Sequence, residues 1–141
     1  MTQTTRSAQQ TLQQRRAAHA WACVEEVGSK KPEDFRKKYG SLVRGLPALI
    51  QIDGLGQALA FLKAKDKNDG KTHYILAYQH VQSWTQSEHS ALKVQGDLLE
   101  WLLKQPTTDY RRATAEVLAY LNWLKRFAEA KGWQDEQAGN Q

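Results

Sequence analysis

Apolar residues recur at intervals of three and four along most of the chain, and no segment sustains an apolar/polar alternation. That is the period of helices with one buried face. The clearest case ends the chain. At about 100° per residue, Tyr110, Ala113, Val117, Tyr120, Leu121, Leu124, Phe127 and Ala128 fall within one arc of roughly 140°. Arg111, Asn122, Lys125, Arg126 and Glu129 fall on the other side. Thr108 or Asp109 is suited to cap this helix, and Gly132 follows its end near Lys131.

The same reading predicts a first helix from about Ser7 to Val27, with Leu12, Ala17, Ala20, Trp21, Val24 and Val27 as its apolar positions and Gly28 as its stop. A short helix over Phe35–Tyr39 should break at Gly40. Ser41 should cap its continuation to Ile52, kinked or restarted at Pro47. Leu55–Lys65 reads as a short helix, residues 65–71 as a charged loop, and Thr72–Glu88 as a helix with Tyr74, Ala77, Tyr78, Val81 and Trp84 inward. Leu98–Lys104 is a further helix, ended by Pro106. The expected fold is all-α, a single compact bundle of about five to seven helices. One helical domain covers 1–141, with its core over 6–131 and flexible tails at 1–5 and 134–141.

Composition narrows the class. The chain has 141 residues, one cysteine and three prolines, and its five Trp, five Tyr and three Phe can fill a core. No apolar run approaches the roughly 20 residues of a membrane span, and residues 1–20 lack the apolar stretch of a secretory signal. A cytoplasmic protein is expected. Trp21, Trp84 and Trp101 stand at core spacing, and Trp123 at the edge of the last apolar arc. Trp133, beyond Gly132, is the candidate for an exposed docking residue.

Charge is more informative. The net charge is +5, and it is uneven: residues 1–73 hold thirteen Lys/Arg against seven Asp/Glu, whereas residues 74–141 hold seven against eight. Such an excess attracts a polyanion, and clustered lysines and arginines read phosphate backbone without reading sequence. The candidate contacts, chosen on charge, are Arg15, Arg16, Lys30, Lys31, Arg44, Lys63, Lys65, Arg111, Lys125 and Arg126.

Catalysis has little support. His73 and His80 share a helix face about 10 Å apart, too far to hold one metal. All four histidines read as surface or edge residues. Cys23 reads as a small buried hydrophobe with no partner base. Gly54-Leu55-Gly56 lacks the remainder of any phosphate-cradling motif, and Gly56 is expected to allow a tight entry into a helix. Asp53, Asp66 and Asp69 are the carboxylates a metal-dependent ribonuclease would use, but Asp66 and Asp69 sit among lysines in what reads as a solvated loop. No catalytic residue, metal or cofactor is assigned.

Two segments carry a family resemblance. Residues 39–65 hold Leu46-Pro47, Leu49-Ile50, Gly54-Leu55, Leu59-Ala60-Phe61-Leu62 and Lys65. Residues 110–130 hold Tyr110-Arg111, Ala113-Thr114, Glu116, Leu118, Tyr120-Leu121 and Trp123 to Ala128. Over roughly residues 12–131 the chain resembles the small α-helical subunit of Cmr-type (type III-B) CRISPR RNA-guided effector complexes; residues 85–96 match nothing in that pattern. The resemblance implies a non-catalytic structural subunit without a cofactor. Its copies stack head to tail beside the backbone subunits, in a complex that also contains a large subunit, and help hold target RNA against the guide RNA. Two other readings stay open: a helical adaptor that binds only protein, and the metal-dependent ribonuclease.

Overall fold

A computed structural model describes the backbone of residues 2–134 and the side chains of residues 11–134. The described residues form six helices and no strand: α1 Thr2–Lys30, α2 Glu33–Asp53, α3 Leu55–Asp66, α4 His73–Gln86, α5 Leu98–Leu103 and α6 Thr107–Ala130. The all-α expectation therefore holds. Apart from Gln134, the expected C-terminal tail lies outside the described residues, as does Met1.

Helix α6 is the central element, packing against both α1 and α2. Ala113, Val117, Tyr120, Leu121, Leu124 and Ala128 are all buried, as its periodicity predicts, and Tyr110 and Phe127 are half-buried. Contacts from Arg16 to Glu116, His19 to Tyr120 and Glu25 to Lys131 show that α1 runs parallel to α6. Helix α2 runs the opposite way. Trp133, just past α6, lies on Gly40, and Tyr110, near the α6 start, lies on Gly54 and Gly56 just past α2.

The boundary expectations at Gly28, at Gly40 and at the start of α6 are corrected. Helix α1 continues through Gly28, and α2 continues through both Gly40 and Pro47. Gly28 and Gly40 are glycine because Trp133 seats on them: a Cβ at Gly28 would stand 3.3 Å from its indole ring, and one at Gly40 would strike its backbone. Trp133 is thus buried, at 7% exposure, and is no docking residue. Trp21, assigned to the core, is 42% exposed instead, on the seam between α1 and α6. The turn before α6 differs too. Pro106 precedes the helix and no side chain caps it, so neither Thr108 nor Asp109 has that role.

Gly56 also has another reason than the one predicted. Of Gly54 and Gly56, only Gly54 has a positive φ, of 88°. Gly56 lies within α3; its N–H donates to the Tyr110 hydroxyl at 2.8 Å, and a Cβ would stand 3.1 Å from that oxygen. Tyr110 and Gly56 thereby tie together the two motif segments.

The loop after α3 is organised around Asp66, which is buried and not solvated. Its carboxylate accepts from the Thr72 hydroxyl at 2.6 Å and from the Gly70 N–H at 3.0 Å. The Thr72 and Gly70 hydrogen bonds hold its pKa below the usual range. Thr72 in turn caps α4 by accepting from the Ile75 N–H. Residues 87–97 form an irregular connection, pinned by buried Val94, whose N–H donates to the Thr85 carbonyl at 2.9 Å.

Cys23 is buried as expected, and burial pushes its thiol pKa up. The histidines are not all peripheral. His80 is buried with its Nδ1 2.6 Å from the Tyr39 hydroxyl, and half-buried His19 lies between Tyr120 and Ser83. Desolvation lowers the His80 pKa from 6.5 to about 4 and lowers that of His19 as well. A neutral buried imidazole gives the unfolded state a proton-binding advantage in acid. The His80 contribution is complete above about pH 6.5 and is lost as pH falls to about 4. It amounts to about 3 kcal/mol. Urea midpoints at pH 7.5 and pH 5 should therefore differ more for the unaltered protein than for His80→Gln. Equal differences would contradict a buried neutral His80.

Candidate nucleic-acid-binding face

The ten basic residues chosen on charge divide by their surroundings. Arg16 is consumed internally. Its Nε and one terminal nitrogen donate to the two Glu116 oxygens at 2.6 and 3.0 Å, and it is only 13% exposed. Trp84 Nε1 adds a third donor, 3.0 Å from Glu116 Oε2. Burial pushes the Glu116 carboxyl up, but the Arg16 and Trp84 hydrogen bonds and the Arg16 charge outweigh this and leave its pKa lowered.

Lys63 is partly engaged. It donates to Asp97 at 2.9 Å and lies over the Tyr78 ring. Asp97 also accepts from the Tyr78 hydroxyl at 2.7 Å and caps α5 through the Glu100 N–H. Desolvation raises the Asp97 pKa, but these donors reverse it, with Lys63 the foremost. Arg15 lies on the exposed side of α1, 2.8 Å from His89 Nδ1. Arg44 is half-buried, and its Nε is shut from solvent with no hydrogen-bond partner among the described residues.

Lys30 and Arg126 are exposed and hold only one-turn pairs, to Glu26 at 3.7 Å and to Glu129 at 3.2 Å. Such surface pairs contribute about 0–1 kcal/mol and leave the charge available. Arg111 is exposed and Lys125 half-buried on α6; neither makes an ion pair with the described residues.

Lys31 and Lys65 stand at the two ends of one series of aromatic rings. The Lys31 ammonium lies 4.9 Å over the Phe35 ring, and that of Lys65 lies 5.7 Å from the Phe61 centroid. Between them the rings form a continuous series across α2, α4 and α3. Phe35 meets His73 at 6.1 Å, His73 meets Tyr74 at 4.1 Å, and Tyr74 meets Phe61 at 6.2 Å. Neither lysine has a carboxylate partner among the described residues. Desolvation, then the Lys38 charge, lowers the His73 pKa against the opposing charge of Asp34. These aromatic members went unread in the sequence. The one local signal was a Lys and a Phe four residues apart on one helix at Phe61/Lys65, and the same spacing across the turn at Lys31/Phe35.

Among the described residues, no three His, Cys, Asp or Glu side chains converge on a possible metal position. No helix among them is long and apolar enough to cross a membrane.

Comparison with known proteins supplies the lineage. Residues 12–131 match the family described as "CRISPR-associated protein (Cas_Cmr5)". The chain is 30% identical to the CRISPR system Cmr subunit Cmr5 of Thermus thermophilus over 123 residues, covering 82% of this chain and 96% of that protein. It is also 30% identical to the Thermotoga maritima subunit of the same name over 122 residues, covering 84% and 83% respectively. With both motif segments locked together in an all-α bundle and the match spanning nearly its whole described length, the chain belongs to the Cas_Cmr5 family, the small helical subunits of Cmr-type (type III-B) CRISPR complexes.

Proposed function

We propose that this chain is a non-catalytic cytoplasmic subunit that holds target RNA along guide RNA through a basic face, while stacking on copies of itself and on the backbone subunits. The observation that carries the reading is the charge left uncommitted. Lys31 and Lys65 end one series of aromatic rings, and neither has an acidic partner among the described residues. Charge displayed in this way suits a ligand read by its phosphates and shape. Exposed Ile52 and Leu103, on α2 and α5, suit a chain that meets protein neighbours as well. Stacking of this kind is heterologous, which permits an open row of copies. Each contact then gains from its neighbours through avidity, and the isolated chain binds RNA weakly.

The double variant Lys31→Glu/Lys65→Glu tests the face. Lys63 is left intact because it is needed at Asp97. The expected outcome is weaker RNA association at low salt. The slope of log affinity against log salt should also fall by about 2. Unchanged RNA association with full incorporation into the complex would favour the adaptor reading.

A further inference from the structure

We propose that the ring series from Phe35 to Phe61 is a stacking platform for single-stranded RNA: it receives the bases of unpaired nucleotides while Lys31 and Lys65 take their phosphates. The inference rests on the RNA-holding reading and goes beyond it, because a paired base keeps its faces inside the duplex and has none to offer a protein ring.

Three observations support it. First, the rings are accessible. Phe61 is 36% exposed, and Phe35, His73 and Tyr74 are each partly open. Second, Phe35–His73 and Phe61–Tyr74 meet at interplanar angles of 86° and 87°. An edge-on neighbour covers at most one face of one ring in each pair, whereas His73 and Tyr74 cover one another at 4.1 Å, and Phe61 is the most exposed ring of the series. Third, the cations over Phe35 and Phe61 are replaceable. An exposed cation–π contact is weaker than a stacked base, so an arriving base displaces the lysine and frees its ammonium for the adjoining phosphate.

A second aromatic seam shows why this one suits a polyanion. Trp21, Phe127 and Trp123 also form a series, with Lys131 over the Trp21 ring. There the cation over the ring, Lys131, is paired to Glu25 at 2.6 Å. On the Phe35–Phe61 face neither Lys31 nor Lys65 is paired in this way among the described residues, and the Asp34 carboxylate that acts on His73 is itself paired to Lys38 at 3.1 Å.

The test uses the full chain, a labelled oligouridylate and an RNA duplex of the same length, read by fluorescence polarisation at low and moderate salt. Phe61→Leu keeps apolar volume at an exposed position and removes the π face. It should weaken oligouridylate binding about tenfold, leave duplex binding unchanged and leave the salt slope unchanged. Phe61→Trp should restore binding. If Phe61→Leu binds oligouridylate like the unaltered chain while Lys31→Glu/Lys65→Glu weakens it, the platform is overturned and the RNA-holding reading stands. Equal losses for single strand and duplex overturn the platform too. If the unaltered chain binds neither RNA even at high protein concentration, the RNA-holding reading falls with it.

Discussion

Glu116→Ala is expected to destabilise the protein by about 3 kcal/mol, because it leaves the largely buried Arg16 guanidinium without its counter-charge. The same change orphans Trp84 Nε1, on an indole that is itself fully buried. A domain of this size has about 5–15 kcal/mol in total, so a large part of its margin would go. Glu116→Gln should cost less, since a side-chain amide oxygen still accepts from Trp84 or Arg16. Arg16→Ala should cost about as much as Glu116→Ala, because it leaves the carboxylate alone. Urea denaturation of the three variants checks the ordering. A loss below about 1 kcal/mol for Glu116→Ala would place the pair in solvent-exposed company.

Gly40→Ala is expected to cost about 3 kcal/mol, against the sign that helix propensity alone would give. Alanine in a helix interior is ordinarily favoured over glycine by about 1 kcal/mol. Here a Cβ would stand 2.6 Å from the Trp133 Cβ and 2.8 Å from its carbonyl carbon, and would collide with its carbonyl oxygen. Backbone atoms cannot rotate away, so the turn after α6 must leave its seat. Gly132, at φ 76°, and the Trp133 N–H bond to the Ala128 carbonyl at 3.1 Å form that turn. The cost is then the lost burial of Trp133, about 3–5 kcal/mol for truncating a buried tryptophan. Gly40→Ala and Trp133→Ala should therefore cost similar amounts, and the double variant little more than either. Strictly additive losses, or a stabilised Gly40→Ala protein, would show that Trp133 does not sit on Gly40.

These two sites also show what the sequence can and cannot disclose. The face of α6 was legible because its period depends only on neighbours within a few turns. Glycines read as stops were misjudged because their reason lies about a hundred residues away, in the seat of Trp133. Arg16 looked like a free cation for the same reason: the partner that buries it, Glu116, is far along the chain. Asp66 looked solvated among lysines, whereas its partners Gly70 and Thr72 lie within the next six residues and could have been read as a capped turn. Of the candidate face, the lysines were visible as charge. The ring series joining Lys31 to Lys65 was not, because α2, α3 and α4 each contribute to it.

The RNA-holding role is tested by purifying the tagged chain from its native cell at gentle salt, identifying every co-purifying protein and sequencing any bound RNA. Short guide RNAs of discrete length are expected together with the backbone and large subunits, the RNA being lost when Lys31→Glu/Lys65→Glu is combined with raised salt. Protein partners recovered without RNA, or the chain recovered alone, would contradict an RNA-holding subunit and leave the helical adaptor in its place.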